Sequence, residues 1–519
     1  MSDEMQRLRQ EVADLRRQLA DAVAAGGENY YYSNAALHGW MESREIPAHG
    51  RSAGTVKSII ENSHTLDFNQ QLNTSSYVNV TFEEEEDEVA LMGLRVNLAD
   101  QTVYPQSYRI HDSVVNMIAR LWNCPEPSDF DDFGVFPGAG TVGSTEACLL
   151  AGLALKFRWR AWYARKMGLD TEAVLGVRPN LVISTCFQAA WEKLFKYMDI
   201  EPRLVAPSSG TFKLDPEQVR EAVDDKTIGV VCIMGNHYGG QYDPVWEVDA
   251  VVQALNAERG FQVGIHVDAA SGGFIAPFQD GLPPWDFRLP SVLSISTSGH
   301  KYGESCCGTG WVVWRQREDL SEHVAISVTY LGGKAESYTL NFSRPASGVY
   351  IQFYKLLRFG MSGYQRCCAN MMENAQFIRD GLAAMTYEGR PRFLFLDDGD
   401  THCLPVVTAM LNPECGFTYD DIDLQHVLSQ HHWYVSGYRM ELEDPLTRKM
   451  APLFVDQDAA QSMFRVVVKS NLTRNMAEHL LSSFKAAFEL LDAVDFSGVH
   501  GFDSARLRHK DQRHPSRHC

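Results

Sequence analysis

The sequence predicts an α/β fold with a central, mostly parallel sheet and a smaller C-terminal α+β domain. From about residue 110, short apolar runs that are typical of buried strands alternate with helix-length segments. The 519 residues exceed what one hydrophobic core usually supports, so more than one domain is expected. A composition of 45% hydrophobic and 22% charged residues is typical of a globular protein.

Charge and composition exclude several classes of partner. A net charge of −19 argues against nucleic acid or an anionic membrane. No apolar run approaches the ~20 residues of a membrane-spanning helix, and the Met-Ser-Asp-Glu start lacks a hydrophobic signal, which favours a cytoplasmic location. The eleven cysteines lack the Cys-x-x-Cys spacing of zinc sites, so we expect reduced, mostly buried thiols and no metal.

Residues 1–27 are predicted to form an N-terminal heptad helix. Apolar residues recur at alternating steps of four and three until Gly26-Gly27 ends the pattern. They are Met1, Met5, Leu8, Val12, Leu15, Leu19 and Ala22. Two interpretations remain open: an amphipathic helix that lies on its own subunit, or a helical bundle between subunits.

Four further segments follow along the chain. Residues 28–75 are predicted to be an N-terminal arm, 76–370 a large domain, 371–503 a small domain and 504–519 a basic flexible tail. The tail has no Trp and no clear apolar face, which argues against calmodulin binding. Strands are predicted at 181–184, 203–205, 228–234, 263–267, 291–296, 311–314, 393–396, 403–410 and 464–468; helices at 113–122, 146–167, 349–359, 419–429 and 477–494.

The residues best suited to catalysis lie at or shortly after the ends of two predicted strands. Asp268 ends one apolar run, and His300 and Lys301 stand side by side shortly after the next. Parallel sheets place ligands at the carboxyl ends of their strands, among small residues such as those that surround both positions. A fixed carboxylate and an amine nucleophile are therefore predicted to share one site.

A glycine-rich loop at 134–145 precedes a long apolar helix. Its segment Gly-Ala-Gly-Thr-Val-Gly-Ser-Thr-Glu (138–146) offers free N–H groups and two hydroxyls at a helix start, which suits an anion. A plain tight turn with a helix cap is the alternative. The spacing matches neither the P-loop nor the dinucleotide pattern, so a single phosphate is the expected ligand. Phosphate loop, strand-end Asp and Lys together suit a phosphorylated pyridine aldehyde, which needs a Schiff-base amine and a carboxylate at the ring nitrogen.

Three segments carry a resemblance to a known family. Gly-Thr-Val-Gly-Ser-Thr-Glu-Ala-Cys (140–148), His-Val-Asp-Ala-Ala-Ser-Gly-Gly-Phe (266–274) and Ser-Gly-His-Lys-Tyr-Gly (298–303) resemble the group II pyridoxal-phosphate-dependent decarboxylases. Within that group they are most similar to the glutamate decarboxylases of bacteria, plants and fungi, over roughly residues 60–490. The resemblance implies fold type I, the aspartate-aminotransferase-like fold, and pyridoxal 5'-phosphate as the cofactor.

The resemblance also implies roles for individual residues. Lys301 would hold the cofactor as a Schiff base, Asp268 would pair with the pyridinium nitrogen, and Tyr330 or His300 would donate the proton at Cα. Gln188, in Phe-Gln-Ala-Ala-Trp, would cover one face of the ring and Ala270 the other, with His237 near the phenolic oxygen. The phosphate would be bound by Gly143, Ser144, Thr145, Ser298 and His300, and by Ser343 of the neighbouring subunit.

The resemblance also implies which residues recognise the substrate. Arg465 would hold the α-carboxylate, and Ser76, Tyr77 and Asn97 the distal carboxylate of glutamate. The sequence at 73–82 departs from the family pattern, and His237 replaces a usual threonine. The expected reaction is decarboxylation of L-glutamate to 4-aminobutyrate by a homo-oligomer, at least a dimer. Two alternatives remain: another amino acid or a related pyridoxal reaction on the same scaffold, and a catalytically silent scaffolding homologue.

Overall fold

The computed structural model describes residues 2–25, 46, 49–127, 134–208, 210–320, 324, 326–328, 335–397, 402–455 and 461–494. Tyr330, the predicted tail at 504–519 and residues 28–45, 47 and 48 of the predicted arm lie outside these residues. The chain divides into two compact units, Met1–Phe68 and Asn69–Cys519.

In its described residues, the first unit contains the helices α1 (Ser2–Ala25) and α2 (Ala53–His64). Helix α1 falls within residues 1–27, where the heptad pattern predicts a helix; the extent of that segment stays a prediction. At the start of α2, the Ser52 hydroxyl accepts a hydrogen bond of 3.2 Å from the Thr55 backbone N–H. This contact satisfies one of the N–H groups that a helix leaves free at its first turn.

The second unit contains the remaining helices and all the strands found in the described residues. The helices are α3 (Glu84–Gly93), α4 (Pro105–Leu121), α5 (Gly143–Met167), α6 (Thr171–Leu175), α7 (Ala189–Tyr197), α8 (Pro216–Ala222), α9 (Val245–Arg259), α10 (Arg317–Leu320), α11 (Ser347–Ala383), α12 (Asp421–Gln430) and α13 (Arg474–Leu491). The strands are β1 (Gly138–Val142), β2 (Asn180–Ser184), β3 (Glu201–Val205), β4 (Thr227–Ile233), β5 (Gly264–Asp268), β6 (Val292–Thr297), β7 (Thr309–Trp314), β8 (Ile326–Val328), β9 (Ala335–Ser337), β10 (Thr386–Tyr387), β11 (Arg390–Pro391), β12 (Phe393–Phe395), β13 (Val406–Leu411), β14 (Ser436–Arg439), β15 (Leu442–Glu443), β16 (Met450–Ala451) and β17 (Ser462–Val467).

A seven-stranded sheet in the order β1-β7-β6-β5-β4-β2-β3 forms the centre of this unit. Strands β2 to β6 run parallel, whereas β7 is antiparallel to both of its neighbours. Every residue of β2, β4, β5, β6 and β7 is buried, as expected for a sheet covered by helices on both faces. The predicted α/β fold with a mostly parallel sheet is confirmed.

The glycine-rich segment is the clearest correction to the predicted elements. Gly138–Val142 is not a loop but the edge strand β1, paired antiparallel with β7, and α5 begins at Gly143 rather than Glu146. The glycines allow close packing: a Cβ on Gly140 would lie 2.9 Å from the Trp311 ring and 3.1 Å from His111. Close packing against large side chains requires glycines in this strand. These glycines give the segment the composition of a loop.

A four-stranded antiparallel sheet, β12-β13-β17-β14, forms the C-terminal part of the unit. Its strand β17 pairs Arg465 with Thr408 of β13 and with Ser436 of β14. The predicted smaller α+β region is confirmed by this sheet together with α12 and α13. Within the described ranges, every helix falls short of the length and apolar character that crossing a lipid bilayer requires.

Candidate active site

The candidate site lies at the carboxyl ends of β4, β5 and β6. These strands are parallel neighbours, so their following loops meet at one edge of the sheet. Asp268 is the last residue of β5, and Ser298 and Lys301 follow the end of β6. His237 follows β4 by four residues. The structure therefore places the predicted strand-end residues on the same edge.

The Asp268 carboxylate is buried, with 6% of its surface exposed, and two donors fix its orientation. The indole Nε1 of Trp191 on α7 donates to Oδ2 at 2.8 Å, and the Ala270 backbone N–H donates to Oδ1 at 3.1 Å. Trp191 lies in the same Phe-Gln-Ala-Ala-Trp motif as Gln188 but was not among the predicted site residues. Half-buried Gln188 occupies the start of this same helix.

The Lys301 amine is the candidate nucleophile of the site. Its Nζ donates to the Ser271 hydroxyl at 3.0 Å and lies 5.3 Å from the centroid of the Tyr77 ring. Burial lowers the pKa of Lys301 to about 8; nearby Asp268 opposes this shift and Arg465 adds to it. About a tenth of the amine is therefore neutral at pH 7, far more than for an ordinary lysine. Ser271 was also not predicted as a site residue.

His300 is held in one tautomer by its backbone partner. Its Nδ1 lies 2.7 Å from the Thr309 carbonyl oxygen, and because a carbonyl only accepts, Nδ1 carries the hydrogen. Burial lowers the pKa of His300 to about 4, despite the opposing Thr309 bond. The imidazole is therefore neutral at pH 7, with an accepting Nε2. The predicted proton-donor role of His300 stays a prediction, as does that of Tyr330.

A group of residues that suits an anion lies beside His300 at the start of α5. Gly143 has a left-handed backbone (φ 72°), and a Cβ there would lie 3.6 Å from the His300 ring. Half-buried Ser144 and Thr145 follow in the first turn of the helix. Two residues before His300, Ser298 is 1% exposed, and its hydroxyl has no hydrogen-bond partner among the residues described. A buried hydroxyl without a partner and a helix N-terminus both suit a phosphate.

Arg465 closes the site from the small sheet. Its Nη2 donates to the Ser75 carbonyl at 2.9 Å, and its Nη1 donates to the His237 carbonyl. Its guanidinium lies 4.9 Å from the Tyr77 ring centroid, so Tyr77 contacts both Arg465 and Lys301. His237 thus contributes its backbone, while its ring packs 4.0 Å from that of Tyr238.

Two polar groups of this pocket are buried without partners. In the part of the chain that the structure describes, neither the Arg465 Nε nor the Tyr77 hydroxyl makes a hydrogen bond. Both side chains are buried, at 7% and 6% exposed. The neighbouring Ser76 hydroxyl accepts a bond of 3.2 Å from the Val78 N–H. Unsatisfied buried donors of this kind match a ligand carboxylate.

Asn97 and Ser343 form a separate pair. The Asn97 side-chain amide donates to the Ser343 hydroxyl at 3.3 Å, and its Oδ1 accepts from the Ala99 N–H at 3.2 Å. In this structure the two predicted residues contact each other, but among the described residues neither side chain hydrogen-bonds to Lys301 or Arg465 at the rest of the site.

Comparison with known proteins agrees with this geometry. Residues 53–390 match the model of the pyridoxal-dependent decarboxylase conserved domain. The chain is 36% identical over 437 residues to glutamate decarboxylase beta of Listeria monocytogenes, covering 83% of this chain and 88% of that protein. It is 34% identical over 479 residues to glutamate decarboxylase 1 of Arabidopsis thaliana, covering 90% and 88%.

A solved structure shows the same architecture. Glutamate decarboxylase from Lactobacillus brevis CGMCC 1306 superposes with a TM-score of 0.78 at 34% identity, covering 87% of this chain and 96% of that one. The fold, the strand-end Asp268 and Lys301, and the matched domain all point to one conclusion. This chain belongs to the pyridoxal-dependent decarboxylase family.

Proposed function

We propose that this enzyme decarboxylates L-glutamate to 4-aminobutyrate, with release of carbon dioxide. Relatives at 34–36% identity over most of the chain are named glutamate decarboxylases. The observation that carries the proposal is the pair of buried, unpartnered groups beside Lys301, Arg465 Nε and the Tyr77 hydroxyl. These groups favour a substrate carboxylate close to the nucleophilic amine.

The residues present fit pyridoxal 5'-phosphate, the cofactor of this family. The unpartnered Ser298 hydroxyl, with Ser144, Thr145 and the N-terminus of α5, would hold the phosphate. Asp268, oriented by Trp191, would hold the pyridinium nitrogen. Gln188 and Ala270 are the proposed residues at the two faces of the ring. When bound, the cofactor supplies an electron sink for the pair left behind as the carboxylate departs.

The chain's own groups perform the remaining tasks. Lys301 supplies a neutral amine at Nζ, which Ser271 orients through its hydroxyl. Arg465 is held rigid by the Ser75 and His237 carbonyls and binds the substrate carboxylate through Nε. Tyr77 packs against the Lys301 amine and the Arg465 guanidinium and excludes water from the space between them.

An amino-acid panel with a matched pair of variants tests the proposal. Purified enzyme with pyridoxal phosphate is incubated with glutamate, aspartate, methionine, phenylalanine or tryptophan, and carbon dioxide and amine are measured. We expect product mainly from glutamate, none from Lys301→Ala, and normal turnover from Lys485→Ala, which changes an exposed lysine of α13. Turnover in Lys301→Ala, or a preference for another amino acid, would contradict the proposal.

Two further features belong to the same proposal. We infer a homo-oligomer, at least a dimer, because Asn97 and Ser343 pair with each other rather than with the site of their own chain. In such an assembly Ser343 would reach the phosphate of the neighbouring subunit.

We also infer a cytoplasmic location, which the ten cysteines of the described ranges support, since all of them are free thiols.

A further inference from the structure

Helix α1 has an apolar stripe that is exposed in the single chain. Along Ser2–Ala25, the side chains of Met5, Leu8, Val12 and Leu15 have 53%, 55%, 48% and 59% of their surface exposed. Their spacing of three and four residues places them on one face of the helix. Four large apolar side chains in one row favour a surface that another helix covers.

The stripe has the period of a coiled coil. Met5 and Val12 occupy a positions of the heptad, and Leu8 and Leu15 occupy d positions. A β-branched residue at an a position with leucine at d favours two strands over three or four. A repeat of 3.5 residues also predicts a left-handed supercoil.

The charges beside the stripe select the partner and its direction. Arg9 and Arg16 occupy e positions, and Glu11 occupies a g position; all three side chains are exposed. In a parallel pair, a g residue meets the e residue five positions later in the other helix, so Glu11 meets Arg16. The sequence repeats this relation one heptad earlier, with Glu4 at g and Arg9 at e.

The antiparallel arrangement brings like charges together. There, g positions meet g positions and e positions meet e positions, which pairs Glu with Glu and Arg with Arg. Like charges at such distances are unfavourable. We propose that α1 forms a parallel, two-stranded coiled coil with α1 of a second copy of this chain.

The coiled coil is short, so its stability depends on association through the rest of the protein. About three heptads are marginal as isolated helices in water. In the proposed homo-oligomer, however, two α1 helices are tethered at an effective concentration in the millimolar range. A parallel pair also suits the two-fold symmetry of a closed dimer, because both helices then run along the axis in the same direction.

Cysteine cross-linking of the full-length holoenzyme tests the proposal. Leu8→Cys and Leu15→Cys place thiols on the stripe, and Gln10→Cys places one on the outer face of the same helix. Under mild oxidation, we expect each stripe variant to form covalent dimers about tenfold faster than Gln10→Cys, because a parallel pair brings identical d positions together. The parent protein gives the background from its native cysteines. Equal rates, or cross-linking only in a mixture of the Leu8→Cys and Leu15→Cys chains, would overturn the parallel coil.

Charge variants in the Leu15→Cys background test the ion pairs separately. Glu11→Arg should slow dimer formation several-fold by placing two arginines opposite each other, and adding Arg16→Glu should restore the rate. Asp14→Arg, on the outer face, is the matched control and should leave the rate unchanged. If Glu11→Arg has no effect, or if the double variant is not restored, the assigned pairing is wrong. Decarboxylase activity is not the readout, so this outcome is independent of the proposed substrate.

Discussion

The Trp191–Asp268 hydrogen bond joins a helix start to a strand end and fixes the carboxylate proposed to hold the cofactor ring. Trp191→Phe keeps the ring but removes the donor. A hydrogen bond to a charged group is worth roughly 1.5–3 kcal/mol, so we expect cofactor affinity to fall about tenfold or more. Absorbance titration of the apoprotein with pyridoxal phosphate measures this change.

Trp159→Phe is the matched control for that experiment. The Trp159 indole on α5 donates to the Asp225 carbonyl at 2.9 Å, so the variant loses an equivalent donor elsewhere. We expect Trp159→Phe to bind the cofactor like the parent protein. Equal affinity in both variants would show that Trp191 does not orient Asp268.

The lowered pKa of Lys301 gives a pH dependence with a definite sign. Only the neutral amine attacks the cofactor carbonyl, and its fraction rises about tenfold per pH unit until the pH reaches the pKa. With that pKa at about 8, the rate of covalent cofactor attachment should increase from pH 6 to 8 and then level off. Stopped-flow absorbance of the apoprotein measures the rate.

Nα-acetyl-lysine is the reference for the attachment rate. Its amine has an ordinary pKa of about 10.4, so its rate with pyridoxal phosphate should keep rising above pH 8. A protein profile that follows the reference would show that burial leaves the Lys301 amine unshifted.

At the scale of elements, the contact between β7 and the start of α5 shapes the proposed phosphate site. A Cβ on Gly310 of β7 would lie 2.3 Å from the backbone carbon of Gly143. Gly310→Ala must therefore displace the first turn of α5, at a cost of about 1–3 kcal/mol for overpacking. We expect weaker cofactor binding together with a lower unfolding midpoint, measured by titration and by thermal denaturation.

Gly176→Ala provides the matched glycine control. Its backbone is right-handed helical, and a Cβ there would make only an ordinary contact, 3.5 Å from the Ala173 carbonyl. We expect little change in either measurement. A Gly310→Ala protein with parental cofactor affinity would show that the helix start does not hold the phosphate.

The sequence predicted β2, β4, β5, β6 and β7 to within a few residues because each is a short, mainly apolar run that is buried in the sheet. β1 was missed because its glycines, which its packing requires, also signal a loop. Asp268 and Lys301 were predictable from local motifs. The Trp191 contact was not, because it joins residues 77 positions apart. The boundaries at 76–370 and 371–503 stay predictions.

At the scale of the whole molecule, buried carboxyl groups couple stability to pH. Burial raises the pKa of Asp243, Glu304 and Asp421 to about 7 each. Unfolded carboxyl groups titrate near 4, so between about pH 4 and 7 the folded chain binds protons that the unfolded chain does not. The free energy of unfolding must then fall as pH rises through this window.

Other ionisable groups raise or lower the free energy of unfolding over the same pH range. Burial lowers the pKa of His266 to about 3 and of His300 to about 4, which favours the folded state as pH rises to about 6.5. The net charge of −19 opposes this, because self-repulsion of the folded chain grows with pH. The carboxyl groups outnumber the histidines, so we expect higher stability at pH 6 than at pH 8, measured by urea unfolding.

Asp421→Asn isolates one of these carboxyl groups without removing its contacts. Asp421 accepts from the Leu411 N–H at 3.0 Å and from the Ser462 hydroxyl at 2.7 Å. An amide keeps the first bond through its oxygen and donates to the Ser462 oxygen through its nitrogen, but it binds no proton. The loss of stability between pH 6 and 8 should therefore be smaller in Asp421→Asn than in the parent, whereas Glu478→Gln, at an exposed position of α13, should leave it unchanged. An equally steep loss in Asp421→Asn would mean that this carboxyl group is already ionised in the folded protein at pH 6.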